Sequence, residues 1–259
     1  MSTFLFDQII FGPVNSRRLG VSLGVNLLPT ESKVCSFDCI YCECGWTPRQ
    51  RTQKAVLPAR ELVKQKMEEK LRDMILNNEY PDVITFAGNG EPTLHPEFEG
   101  IIDDTIELRN QLTPKARIAV LSNATMLHKP GVVRALLKVE DNIQKLDSAF
   151  EETIRKIDCP TSKFVLKEVV ENLKSFNSKV IIQTLFLKGK HKHEIIDNTT
   201  ESEITGWIKL IAEIKPSQVM IYTIERDTPA AGLEKVNLAD LEVIAERVRA
   251  IGFEVQVSG

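Results

Sequence analysis

The sequence predicts a single-domain α/β fold, a parallel sheet curved into part of a barrel with helices on its outside. Three observations point there. Short β-branched runs alternate with longer amphipathic stretches along the 259 residues, which is the rhythm of βα units. No linker or low-complexity segment interrupts that rhythm, and the length suffices for one sizeable core. Six or seven such units in about 240 residues match one curved sheet or partial barrel.

The elements follow in order. Residues 19–27 (LGVSLGVNL) alternate as a first strand and lead into a cysteine-rich loop. Over residues 58–77, Val63, Met67, Leu71, Met74 and Ile75 fall at helical spacing. Residues 82–86 (DVITF) form a second strand that stops at Gly88-Asn89-Gly90. A helix over 97–111, a strand over 117–121, a helix over 131–138 and a strand over 143–147 continue the pattern. The second half adds a helix over 163–175 and a strand over 179–187, then a helix opened by a Thr200/Glu203 capping box. A strand over 218–223, a helix carrying Leu241, Ile244, Val248 and Ile251, and a strand over 253–257 complete it. Two loops stand out, the cysteine loop with its tail to Val56 and the basic stretch 188–200 (KGKHKHEIIDNTT). Parallel folds place their sites on loops leaving the C-terminal strand ends. The cysteine loop, the 88–91 turn, Ser122-Asn123, Asp147 and the 188–200 loop are expected to gather on that face.

Composition narrows the function. A formal net charge of −3 provides no overall positive field for non-specific nucleic-acid binding. The first residues lack the pattern of a signal peptide, and no apolar run approaches the roughly 18 residues of a membrane span. A cytoplasmic protein is expected. Five cysteines, four of them at Cys35, Cys39, Cys42 and Cys44, make a poor disulfide framework and a better metal or redox cluster.

The central motif is Cys35-Ser36-Phe37-Asp38-Cys39-Ile40-Tyr41-Cys42, a C-x3-C-x2-C loop with an aromatic before its last cysteine. Three thiolates on one loop can hold three irons of a [4Fe–4S] cubane and leave the fourth open. The competing reading is a structural zinc site on Cys35, Cys39, Cys42 and Cys44, although such sites ordinarily draw two ligand pairs from separate segments. Residues 86–93 (FAGNGEPT) place glycines and a carboxylate, Glu91, one strand and one helix later. Glycines allow close approach of backbone to a ligand. Ser122, Asn123 and Asp147 sit at strand ends, where both site roles and helix capping are open. Gln183 either points into the barrel or is packed. Arg17 and Arg18 are suited to clamping a phosphate or carboxylate of a substrate.

The cysteine motif with its aromatic, and the Gly88-Asn89-Gly90-Glu91 turn, resemble the signature of the radical S-adenosylmethionine (SAM) superfamily. With residues 11–20, 26–29 and 222–233, the chain also resembles a bacterial and archaeal group of iron–sulfur oxidoreductases related to the wyosine-forming tRNA-guanine enzymes. The resemblance implies a partial (β/α)6-type TIM barrel and two cofactors, a [4Fe–4S] cluster and SAM. It makes Cys35, Cys39 and Cys42 the cluster ligands and catalytic residues. It assigns Gly88, Asn89, Gly90, Glu91, Ser122, Asn123 and Asp147 to SAM, with Tyr41 near the adenine. Asn89 departs from the superfamily's glycine. The implied activity is reductive cleavage of SAM to a 5′-deoxyadenosyl radical that abstracts hydrogen from an unidentified substrate, a macromolecule among the options. The implied partner is a low-potential donor, flavodoxin or ferredoxin. The wyosine activity is not carried over, because Cys44 and Cys159 alone cannot build a second three-cysteine site. Two alternatives stay open: radical modification of an RNA base, and a non-catalytic zinc or iron–sulfur protein that senses redox state through Cys44.

Overall fold

The apolar runs become strands because they are too short to bury a helical face and carry β-branched side chains on both sides. Val83, Ile84 and Phe86, for example, are wholly buried. The computed structural model describes residues 4–16, 18–48 and 55–259, and Arg17 lies outside the described residues. Its order is β1 (Ile10–Ser16), β2 (Gly20–Val25), α1 (Arg60–Leu76), β3 (Val83–Phe86), a 3-10 turn (Pro92–Leu94), α2 (Phe98–Leu112), β4 (Arg117–Ser122), α3 (Pro130–Leu136), β5 (Asp141–Lys145) and α4 (Glu151–Ile157). There follow α5 (Leu166–Lys174), β6 (Ile181–Leu185), β7 (Leu187–His191), β8 (Glu194–Asp197), α6 (Glu201–Ile214), β9 (Gln218–Tyr222), β10 (Leu233–Lys235), α7 (Leu238–Arg249) and β11 (Val255–Ser258).

Eight strands form one sheet in the order β1-β2-β3-β4-β5-β6-β9-β11. Only β1 is antiparallel to its neighbour; the others run parallel and curve into an open half-barrel, a partial TIM barrel. Alternate residues of each strand face opposite ways. One set joins the main core beneath the helices, with Ile84, Phe86, Ile118, Val120 and Ile182 against Met67, Leu71 and Phe98. The other forms a separate apolar floor inside the barrel from Val83, Ala119, Ile143, Ile181 and Met220. No described helix is long and apolar enough to cross a membrane.

Several elements differ from expectation, β10 and the 3-10 turn among them. Residues 10–16 form a strand ahead of the expected first one, with a register shift between Phe11 and Val14. Its residues from Gly12 to Asn15 are exposed, so no alternation marks it. A short helix, α4, covers 151–157. The basic loop 188–200 is a hairpin, β7–β8, which joins β10 in a second, three-stranded sheet. Its strands show no apolar period because most of their residues are exposed or only partly buried. Ile251 lies beyond the end of α7 and is exposed.

Candidate active site

The cysteine loop leaves β2 and is sewn to both the 88–91 turn and the α4 end. Val34 donates to the Asn89 carbonyl at 2.8 Å and accepts from the Glu91 amide at 3.1 Å. On the other side, Asp38 donates to the Asp158 carbonyl and Ile40 to the Ile157 carbonyl, each at 2.9 Å. Phe37 and Ile40 anchor the loop in the main core. Gly90 is indispensable to this stitching: its φ is +131°, and a Cβ there would lie 1.9 Å from the Val34 carbonyl oxygen.

The turn's side chains face away from one another. Asn89 is fully buried; its amide donates to the carbonyls of Phe6 (2.9 Å) and Pro29 (2.8 Å) and accepts from the Phe6 amide. Asparagine therefore stands where the resemblance has glycine because it ties down the N-terminal segment. Glu91 caps the 3-10 turn through Thr93 and accepts from the Asn123 amide at 2.7 Å. Burial raises its pKa against the pull of these donors. Asn123 in turn donates to Ser36 Oγ at 2.9 Å and approaches Cys35 Sγ at 3.6 Å. Ser122 caps the following turn through the Ala124 amide. The turn, Ser122-Asn123 and the cysteine loop are thus one connected unit.

A second, charged unit lies under Cys39. The Tyr41 hydroxyl, Lys145 ammonium and Asp147 carboxylate bond to one another, and Asp158 accepts from Tyr41 at 3.3 Å and from the Cys39 thiol at 3.3 Å. Burial raises the Tyr41 and Asp158 pKa values, with Asp147 adding to both. Burial opposes the charge on Lys145, but Asp147 and its neighbours more than restore it, so Lys145 is held as a cation. Asp147 also receives the Leu185 amide (2.9 Å), and Asn198 ties the Asp147 and Leu185 carbonyls together. Tyr41 and Asp147 are therefore brought together. Lys33, Lys145, Asp158 and Asn198 went unnamed in the sequence; Lys33 and Lys145 each stand two residues before a residue that was named.

Around the thiols, burial pushes Cys35 up to about 12 and raises Cys39 as well. Cys42 is lowered to about 6, first by a hydrogen bond from Cys44 and, against burial, by Lys33. Lys33 is 2% exposed, donates to the Gly45 carbonyl at 2.8 Å and keeps its charge against burial through the cysteines. Cys44 also donates to the Gly88 carbonyl at 3.4 Å, and its hydrogen bond to Cys42, with burial, raises its own pKa. Among the described residues, no three Cys, His, Asp or Glu side chains close on a single metal point. A cubane takes each thiolate on a different iron. Three partly or wholly buried thiols on one loop, beside a buried cation, fit that demand.

The Arg18 guanidinium lies 4.6 Å from the Tyr222 ring centre. Gln183 is buried on β6, beside Lys145 of β5. The β7–β8 hairpin reaches the cysteine loop through His191, stacked 5.9 Å from Trp46. Cys159 donates to the Lys156 carbonyl.

This half-barrel, with a three-cysteine loop clamped to a glycine turn at its strand ends, is the frame of a radical SAM protein. The radical SAM superfamily model matches residues 32–199, and the chain belongs to that superfamily, whose members bind a [4Fe–4S] cluster and SAM. Among sequence relatives, GTPase Obg of Brachyspira hyodysenteriae is 30% identical over 238 residues, 90% of this chain and 32% of that protein. A UPF0026 protein of Methanocaldococcus jannaschii is 32% identical over 219 residues, 83% of this chain and 63% of the relative. The chain therefore spans less than two thirds of either. Among solved structures, a radical SAM methyltransferase from Sphaerobacter thermophilus superposes with a TM-score of 0.68 at 13% identity, over 92% of this chain and 65% of that one. SuiB of Streptococcus suis bound to S-adenosylmethionine gives 0.62 at 18%, over 88% and 49%. TYW1 with a lysine-pyruvate adduct bound, a wyosine-forming enzyme, gives 0.59 at 13%, over 88% and 73%. At these identities the likeness is one of fold.

Proposed function

We propose that the chain is a cytoplasmic radical SAM enzyme whose single core domain abstracts hydrogen from a substrate. The observation that carries this reading is the direct stitching of the Cys35–Cys39–Cys42 loop to the turn of Gly88, Asn89, Gly90 and Glu91 and to Asn123. Cys35, Cys39 and Cys42 would hold the [4Fe–4S] cluster, and the strand-end groups from Gly88 to Glu91, Ser122 and Asn123 would line SAM. When bound, the cluster and SAM supply reductive cleavage to a 5′-deoxyadenosyl radical. The chain's own part is to position and to exclude water. Glu91 fixes the Asn123 backbone, Asn123 orients Cys35, and Asp158 orients Cys39. Lys33 supplies a buried positive charge beside the thiolates, favouring their deprotonated form. The Tyr41–Asp147–Lys145 unit fixes the floor under the loop. A flavodoxin- or ferredoxin-class protein would supply the electron.

The test is anaerobic reconstitution with iron and sulfide, then chromatography for 5′-deoxyadenosine after SAM and dithionite are added. The reading expects about four irons per chain and deoxyadenosine formation, both lost in Cys39→Ala, with iron retained in Cys44→Ala. One zinc per chain and no cluster after reconstitution would defeat it.

A further inference from the structure

Between the β1–β2 hairpin and Arg226-Asp227, the barrel opens into a cleft of about 720 Å³. Its wall reaches the proposed reaction site at two points: Ala87 directly precedes Gly88, and Glu43 stands between Cys42 and Cys44. Two arginines line it, and they differ. Arg226 is ion-paired with Glu43 at 2.7 Å. Arg18 lies over Tyr222, and among the described residues no carboxylate pairs with it. A guanidinium stacked on an aromatic face keeps the donors along its edge free for a planar, bidentate anion. The lining is also aromatic. The Phe6 and Phe11 rings stack with centres 3.7 Å apart. Phe11 lies against the sheet only because residue 24 is glycine; a Cβ there would sit 2.1 Å from the ring. In the same lining, Ser22 and Thr85 share a 2.8 Å hydrogen bond.

A guanidinium without a carboxylate partner among the described residues and an aromatic pair in one cleft, next to the cysteine loop, specify a ligand chemistry. We propose that this cleft binds the substrate, and that the substrate's bound part is an organic anion with a flat aromatic body. Its carboxylate or phosphate lies on Arg18, and its ring packs against Phe6 and Phe11. The proposal rests on the radical SAM reading, which makes this the space beside the reacting centre. The volume falls within the roughly 300–1,000 Å³ of small-molecule pockets. The cleft thus accepts a nucleotide-sized molecule, or one residue of a larger chain.

The test is calorimetric binding to the anaerobically reconstituted chain with SAM present, using two matched pairs of probes. Guanosine 5′-monophosphate is compared with guanosine, and 4-hydroxyphenylacetate with 4-hydroxyphenylacetamide. At least one anion should bind about tenfold or more tightly than its neutral partner, the size expected for charge-assisted hydrogen bonds. Arg18→Gln should abolish that preference, Arg18→Lys should keep part of it, and Phe6→Ala should weaken both members of the pair. Which pair responds identifies phosphate or carboxylate as the source. The site is overturned if neither anion is preferred by the wild type, or if Arg18→Gln leaves the preference unchanged. The comparison of each anion with its neutral partner is made on the wild-type protein, so that arm of the test stands however a variant folds. Deoxyadenosine formation is scored separately. Anion binding without it keeps the cleft and defeats the radical reading; deoxyadenosine without anion preference defeats the cleft alone.

Discussion

At the scale of single residues, the site depends on positions where a side chain is forbidden as much as on those where one is required. Gly90 holds a positive φ with Val34 pressed against it, backbone to backbone, so neither partner can swing aside. Gly252 also has a positive φ, +94°, but nothing lies within 4 Å of its missing Cβ. Gly90→Ala is expected to cost more than ~2 kcal/mol and to lose most of the iron taken up on reconstitution. Gly252→Ala should cost about 1 kcal/mol and keep its iron. Urea unfolding and iron analysis on both proteins check this, and wild-type iron in Gly90→Ala would contradict it. Asn89 illustrates the converse. The superfamily's glycine can be replaced here because the side chain turns to Phe6 and Pro29.

At the scale of elements, helix ends and helix pairs do more than their local signals suggest. Thr200 caps α6 by accepting from the Glu203 amide, which is half of the expected capping box. The other half is absent because the Glu203 carboxylate receives the hydroxyls of Ser148 (2.6 Å) and Thr153. Thr200→Ala should therefore cost about 1 kcal/mol. Glu203→Ala, which strands two hydroxyls near the end of β5 and the start of α4, should cost about twice that. Chemical denaturation ranks the two, and the reverse order would refute the assignment. Between α1 and α2, Arg60 binds Asp104 through two hydrogen bonds of 2.6 and 2.9 Å. That guanidinium holds Asp104 below the ordinary carboxylate range. A depressed folded-state pKa contributes stability above the unfolded value, near ~4, and loses it as pH falls through the folded value. Asp104→Asn is thus expected to cost ~0.5–1 kcal/mol at pH 7, and the cost should shrink as pH falls below the unfolded value. A pH-independent difference would show that the ion pair is not its cause.

At the scale of the whole molecule, a single asparagine ties three backbone groups where the half-barrel passes into the three-stranded sheet. Asn198 donates to the carbonyls of Asp147 (2.9 Å) and Leu185 (2.7 Å) and accepts from the Leu187 amide (2.9 Å). Alongside the Leu187 and Ile196 core contacts, it joins the end of β6, the segment after β5 and the start of the hairpin beside the cysteine loop. Asn198→Ala leaves three buried backbone groups without their partner and is expected to cost roughly 3 kcal/mol. Hydrogen exchange should show the Leu187 amide losing protection ahead of the floor strands. Unchanged protection at Leu187 would remove Asn198 from this role.

By itself, the sequence determined whatever depends on short range. The alternation of βα units, the order of the parallel strands' segments, the cysteine spacing and the glycine turn are all local, because strand and helix periods and turn conformations are set within a few residues. The family resemblance rests on those same local words. Tertiary structure alone decided the partners. Cys39 meets Asp158 across 119 residues and Tyr41 meets Asp147 across 106. No period or spacing relates such positions; curvature of the sheet brings them together. The same holds for β1, whose exposed residues hide its alternation, and for the hairpin in the basic loop, whose strands exist because β10 and each other's backbones are there to pair with. Arg18 reads in the sequence as one of two adjacent charges. Only the folded chain sets it over Tyr222, in one cleft with Phe6 and Phe11, because side chains 204 positions apart share a barrel interior.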